Sequence, residues 1–437
     1  MYHALALLSF FSVVTGQLTG RVGPTTTREA KRAVKVCNIL DYKGVASKTA
    51  DIGPAIVSAF NACKSGGTVY VPPGDYGMST WVSLSGGKDW AFQLDGIIYR
   101  TGSQSGNMIH IEKSTNFEFY SSISKGAIQG NGYELHKAGK YGARLLRLSQ
   151  ITDFSVHDIL LIDAPQFHLF LASCTNGEVY NTLIRGGSEG GLDGIDVSGS
   201  NMWIHDVEVS NRDECVTIKN PSHNMLIEQI YCNWFGGCAI GSLGTGTDIS
   251  NIVYDKVYSV NSNQMMMIKS NGGDGTVKDC VFRNFIGHKN AYGLDLDAHW
   301  SSLTLQPGQG VEYENLTFSN WKGSVSDGTR RAPVNVICPD GKPCTGLRIE
   351  DLSLWTESGN KVLWKCGSAF GTGACLGKGS GSYAVSTVTV TATPTGWNAP
   401  TMAADLATLP LTTSISIPTI GTTYYPGATP YSKLLGA

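Results

Sequence analysis

Two acidic residues stand side by side, Asp213-Glu214, in the segment "NRDECVTIKN", among β-branched residues. A second pair, Asp193 and Asp196, lies shortly before them in "GGLDGIDVSG". Bringing carboxylates this close costs electrostatic free energy, and the repulsion raises the pKa of one of them. Such a cluster suits a reaction that needs one carboxyl protonated and another ionised, as glycoside hydrolysis does. The plainer reading is a polar loop, with Asp193-Gly194 a turn and Asp213 a solvated end.

The elements that must position these acids show a repeat. Apolar segments such as "FSVHDILLIDAP", "GEVYNTLIRGG", "MWIHDVEVSNRD" and "MLIEQIYCNWF" recur. Taking Val156, Val179, Ile204, Ile227, Val253 and Val277 as equivalent, the steps are 23, 25, 23, 26 and 24 residues. Each unit alternates apolar with polar residues, as a half-buried strand does. Val, Ile, Tyr and Thr dominate, and 53 glycines would break helices. An antiparallel sandwich predicts no fixed period. The period suits one coil of a parallel β-helix, an all-β fold whose stacked rungs bury a continuous interior.

The segment from Asp51 to Gly67 differs: Ile56, Phe60 and Cys63 fall on one helical face, with Asp51 before it and Gly66-Gly67 as a stop. A short helix capping the N-terminal rung is expected there. The reading divides the chain into a signal peptide over 1–16, a catalytic β-helix over 17–395 and a Thr/Ser/Pro-rich tail over 396–437. Within the tail, "TMAADLAT" predicts one short helix, and the rest an extended run along the surface.

In a parallel β-helix equivalent residues of successive rungs stack along one face. Asp193 and Asp196, then Asp213 and Glu214, then Gly236 and Lys269, fall in consecutive or near-consecutive coils. A polysaccharide can lie across that face, with the acid cluster at its centre.

Composition narrows the setting. The apolar run Ala4–Val14 before Thr15-Gly16 reads as a secretory leader, too short to span a bilayer. A formal charge of −2 and the lack of a basic tract argue against nucleic acid as partner. Eleven cysteines in an exported chain point to disulfides. Local spacing pairs Cys338 with Cys344 and Cys366 with Cys375, and longer loops pair Cys37 with Cys63 and Cys215 with Cys232. Spacing alone does not fix this pairing. Cys174, Cys238 and Cys280 are left as buried thiols. No metal and no cofactor is expected, because no ligand spacing recurs. Asn315-Leu316-Thr317 is an N-glycosylation sequon.

Four ordered motifs, "GLDGID", "RDEC", "GGCAIGSLG" and "MIKS", resemble the signature of the polygalacturonase-like glycoside hydrolases, which reads NTD, DDC, GHGxSIGS and RIK. The resemblance covers most of the chain after the leader. It implies a right-handed parallel β-helix and inverting hydrolysis of pectin. The departures are informative. Gly191 stands for the Asn of NTD, Glu214 for the second Asp, Gly236 for the motif histidine and Met267 for the Arg of RIK. This set is similar to the rhamnogalacturonan hydrolase branch. Rhamnogalacturonan I alternates galacturonate with neutral rhamnose, so one fewer cation is required. Met267 can then face a rhamnose methyl group while Lys269 holds the remaining carboxylate.

The resemblance also implies roles. Asp213 is the general acid, and Asp193 with Glu214 activates water on the opposite face. Adjacent strand residues point to opposite sides, so Asp213 and Glu214 share a site only if the backbone bends there. Asp196 is either a partner of these groups or the end of a turn. His288, in "FIGHKNAYGLDLD", either fills the space of the missing histidine or is an ordinary surface residue. Trp300 can stack on a sugar. The expected substrate is a pectic polysaccharide, rhamnogalacturonan I, cut by a secreted monomer with no membrane partner. The rivals are a polygalacturonase or xylogalacturonan hydrolase, a calcium-assisted lyase, and a non-catalytic polysaccharide-binding β-helix.

Overall fold

A computed structural model describes residues 18–26, 35–327, 331–356, 362–390, 400–409 and 413–427. The expected leader over 1–16 and the boundary at 395 lie outside these residues.

Parallel strands wind into one β-helix. Each coil pairs with the next through three stretches, one per face; for Ile195–Asn211 these are Ile195–Val197, Gly199–His205 and Val207–Asn211. The period-2 pattern explains the interior. On the first face Ile195 and Val197, Val216 and Ile218, Ile240, Ile268, Leu294 and Leu296 point inward and are buried. Between them Asp196, Thr217, Ala239, Met267 and Asp295 stack on the outside in register. Each fully buried aliphatic side chain contributes roughly 1.5–3 kcal/mol, and aromatic rings stack between rungs, Phe92 on Phe119 at 4.9 Å and Phe285 on Trp321 at 4.2 Å.

The repeat holds in register from Val156 through Val179 and Ile204 to Ile227. Beyond that the expected equivalences slip. Ile227 pairs with Tyr254 and Tyr254 with Phe282, steps of 27 and 28 residues, while Val253 pairs with Val281 and Val277 with Ile249. Longer loops between the first and second faces, as from Ile240 to Ile249, absorb the extra residues and leave the apolar alternation intact.

Near the start of the second face the chain bends on Asn176, Asn201, Asn224 and Asn251, all left-handed at φ 54°, 57°, 53° and 59°. Asparagine tolerates this region, and its amide also links rungs: Asn201 Nδ2 donates to Asn176 Oδ1 at 2.9 Å and Asn224 Nδ2 to Asn201 Oδ1 at 2.8 Å. Residues 18–26 run over this ladder, with Thr19 N donating to Asn224 Oδ1 at 2.9 Å.

The helix forms as expected, over Gly53–Cys63, with Ile56, Phe60 and Cys63 buried on the first rung. Asp51 Oδ1 accepts from the Gly53 amide at 3.1 Å, and the Cys37–Cys63 disulfide ties the helix end to the first strand. At the other end Ser386–Val390 pairs antiparallel with Val362–Gly367, a strand of the last rung. The expected helix in "TMAADLAT" is absent: these residues form turns. Asp405 explains this, because its carboxylate is drawn to the Tyr231 hydroxyl at 2.7 Å and the Tyr258 hydroxyl at 3.0 Å on the third face. The tail continues along that face, burying Ile415, Ile420 and Tyr424. No helix among the described residues is long and apolar enough to cross a membrane.

Candidate active site

The acids converge where the chain passes from the third face to the first. The strand Ile195–Asn211 ends, Arg212 and Asp213 bend, and Val216–Phe235 begins. That bend lets two adjacent residues serve one site, as the sequence reading required. The Asn211 side chain organises it, donating to Leu192 O at 2.6 Å and accepting from Asp213 N at 3.2 Å. The Cys215–Cys232 disulfide anchors the next residue in the core. Cys37–Cys63, Cys338–Cys344 and Cys366–Cys375 also form, leaving Cys174, Cys238 and Cys280 as buried thiols.

Asp193, Asp196 and Glu214 are buried, with oxygen atoms within 4.8 Å of one another, a spacing that can hold a metal ion. A cation already stands among them. Lys219 Nζ lies 3.2 Å from Glu214 Oε2, 3.3 Å from Asp196 Oδ1 and 3.6 Å from Asp193 Oδ2. Lys269 closes on the other Glu214 oxygen, Oε1. Thr217 donates to Glu214 Oε2 at 3.1 Å.

The sequence reading missed Lys219. It is two residues beyond Thr217 in "VTIKN", so strand alternation places it on the outer side where the acids lie. That was its only signal, and one lysine on a strand reads as a solvated residue.

The environments push the carboxyls apart. Burial would raise Glu214, but Lys219 and Lys269 outweigh it and hold its carboxyl below the ordinary glutamate range. Burial and the neighbouring Glu214 charge raise Asp213, against hydrogen bonds from the Gly191 and Glu214 amides. Burial, with Asp196, Glu214 and Asp213 nearby, pushes Asp193 up to about 9. Asp196 rises to about 6, from burial opposed by Lys219. Within the cluster these shifts favour the protonated form on the Asp193 and Asp196 side and the ionised form at Glu214.

Gly236 lines the cleft, but for a backbone reason. A Cβ there would lie 1.2 Å from Asp213 O and 2.4 Å from Glu214 N. The absent side chain is what lets this strand pack against the Asp213-Glu214 bend. Arg212, Asn263, Gln264, Met267, Tyr292, Trp300 and Arg331 line the same cleft with Asp213, Glu214 and Lys269. Met267 supplies a nearly buried apolar patch beside Lys269.

His288 does not join this group. It lies on the third face, level with Val260, and is not part of the cleft lining. The histidine beside the acids is His168, fully buried. Its Nε2 accepts from Ala164 N at 3.3 Å, so Nδ1 carries the proton it donates to Asp193 O at 3.1 Å. Burial lowers its pKa to about 4. Asn315 lies far along the coil, half-buried, its Nδ2 donating to Asp279 Oδ1 at 2.6 Å.

Residues 75–375 match the family model described as Glycosyl hydrolases family 28. The chain is 59% identical over 435 residues to Rhamnogalacturonase A of Aspergillus aculeatus, covering 99% of each chain. It is 59% identical over 428 residues to Rhamnogalacturonase A of Emericella nidulans, covering 97% of this chain and 84% of that one. Its fold is similar to that of endo-xylogalacturonan hydrolase from Aspergillus tubingensis, with TM-score 0.68 and 20% identity over 79% of this chain and 100% of the other. Polygalacturonase from Erwinia carotovora gives TM-score 0.56 and 18% identity over 76% and 98%. With a family match over most of its length, relatives of this identity and a coil lined by paired carboxylates, the chain belongs to glycosyl hydrolases family 28 and is a glycoside hydrolase built as a right-handed parallel β-helix.

Proposed function

We propose that this chain is a secreted, endo-acting hydrolase of the rhamnogalacturonan I backbone, cutting α-D-galacturonate-(1→2)-α-L-rhamnose linkages with inversion and acting as a monomer. The observation that carries the substrate is the 59% identity to a rhamnogalacturonase along 99% of both chains. The cleft agrees with it. Apolar Met267 sits beside Lys269, so this stretch of the cleft pairs an apolar surface with a cation, as an alternating neutral and uronic polymer requires, while Arg212 and Arg331 add charge elsewhere along its lining.

In this reading Asp213, its carboxyl raised, protonates the glycosidic oxygen as the bond from galacturonate C1 breaks. Glu214, held ionised by Lys219 and Lys269, takes a proton from the water whose oxygen bonds to C1 from the opposite face. Asp193 and Asp196, sharing a proton beside Lys219, hold that water. Glu214 thus replaces the pair of Asp193 and Glu214 as the base.

Product analysis on defined rhamnogalacturonan and homogalacturonan fragments tests the proposal. New non-reducing ends carrying rhamnose, and a first-formed β-galacturonate reducing end seen by NMR, are expected. Faster cleavage of homogalacturonan would assign the chain to the polygalacturonase side of the family. An initial α-anomer would exclude the two-carboxylate assignment.

A further inference from the structure

Five of the arginines are held in two contrasting ways. Arg100, Arg185 and Arg283 are held by Glu134, Glu208 and Asp255 at 3.0, 2.6 and 2.9 Å. Arg144 and Arg147 have no salt bridge among the described residues. Each instead lies over an aromatic ring, Arg144 at 4.9 Å from the Phe167 centroid and Arg147 at 5.0 Å from that of Phe170.

Both sit on the strand Ala143–Ser149, on the face that carries the acids. Arg147 pairs with Phe170 in the next rung, and Phe170 with Asp196 in the one after. Asp196 and Asp193 both act on Arg144 electrostatically. All four side chains, Arg144, Arg147, Phe167 and Phe170, are part-exposed. Tyr141, 53% exposed, stands beside them, its hydroxyl donating to Gly190 O at 2.9 Å next to the Asp213 loop.

The arginines are fixed in place. Arg147 Nε donates to Ser149 Oγ at 3.1 Å, and the same oxygen meets His110 Nε2 at 3.0 Å. Arg144 Nε is buried with no hydrogen-bond partner among the described residues. Guanidinium groups stacked on rings keep their edges directed outward, the arrangement that binds carboxylates in a fork. Two such groups interleaved with two part-exposed rings and the exposed Tyr141 make a surface that is cationic and apolar by turns.

We propose that Arg144 and Arg147, with Phe167, Phe170 and Tyr141, form a carboxylate-binding subsite that grips a second galacturonate of the polymer, on the opposite side of the acid cluster from Lys269. The proposal rests on the substrate reading above. Two to three strand spacings separate the arginines from the acids, roughly 10–14 Å at ~4.8 Å each. One disaccharide repeat of an extended chain covers such a span, and galacturonate recurs once per repeat. The subsite binds substrate and transition state alike, so it acts through KM.

Arg144→Met and Arg147→Met test this on rhamnogalacturonan oligosaccharides trimmed stepwise from each end, with kcat and KM measured for each length. A lost charge-assisted contact is worth roughly tenfold in kcat/KM. Loss on the longest fragment should exceed loss on the shortest by about that factor, mostly in KM. The excess should vanish on trimming from one end only. The ratio is taken within one variant, so partial misfolding cancels. Arg147→Lys, which keeps the charge without the fork, should fall between. Equal losses at every length, or a shifted pH profile with no length dependence, would mean that the arginines only balance the acid cluster, and would overturn the subsite. Wild-type enzyme that left every rhamnogalacturonan fragment uncut would overturn the substrate reading instead.

Discussion

Asp213 and Glu214 are chain neighbours with opposite protonation, and the difference comes from which cations reach them. Lys219 and Lys269 both end on Glu214, whereas Asp213 is raised by burial and by Glu214 itself. Asp213→Asn should lower kcat by about 10²–10⁴-fold with little change in KM, because the acid acts on the leaving oxygen in the transition state. The kcat/KM profile should be bell-shaped. Activity needs Glu214 ionised, so it falls as pH drops through that lowered pKa; it needs Asp213 protonated, so it falls as pH rises through that raised one. Lys269→Met removes one of the two cations on Glu214 and should move the acidic limb upward by about one unit or more, read from kcat/KM against pH. Gly236→Ala should cost about 1–3 kcal/mol by denaturant unfolding and depress kcat, since a Cβ collides with the Asp213 carbonyl. The four acids were legible in the sequence because carboxylates rarely cluster without a task. Lys219 was not, since its value depends on three acids, two of which, Asp193 and Asp196, only the fold brings to it from the neighbouring coil. His288 was ambiguous for the converse reason: its place in the strand Gly275–Asn290 said nothing about which of three faces it would occupy.

The strand elements follow from alternation, and the turns from residues that accept left-handed backbone. Register was readable as far as Ile227, where each coil has nearly the same length. It was lost where the loop after the first face lengthens, the step of four residues from Ile218 to Ser222 becoming nine from Ile240 to Ile249 and nine from Ile268 to Val277, because a count of residues cannot distinguish a longer turn from a shifted strand. The tail shows tertiary contacts overriding local propensity. "TMAADLAT" has helix-forming composition, yet Asp405 is held by two phenols of the third face and the segment stays in turns. Asp405→Ala leaves both phenols without this acceptor and should cost about 2–3 kcal/mol in an equilibrium unfolding measurement. The same variant should make the tail cleavable by a protease while kcat is kept, because the acids lie on another face.

Across the whole molecule, buried ionisable groups tie stability to pH in opposing directions. His168 has a folded pKa of about 4 against an ordinary 6.5. A proton therefore favours the unfolded chain, and the stability from this group is full above pH 6.5 and lost as pH falls through about 4. The shift corresponds to about 3 kcal/mol. Asp193, raised to about 9, has the opposite sense: its contribution is full below its ordinary value and declines as pH rises through 9. Urea midpoints of wild type and His168→Gln between pH 4 and 7 should diverge in slope, the variant being flatter; parallel curves would remove His168 from the account.

A parallel β-helix is in principle a segment of an endless filament, since the top of each rung is a template for the bottom of another. The two ends of this molecule spoil that complementarity differently. The helix Gly53–Cys63 covers one, and a strand running the wrong way, Ser386–Val390, covers the other. The Cys37–Cys63 bond, far from any chemistry, ties one of these covers to the first strand, so that its row of backbone donors and acceptors stays shielded from a second copy.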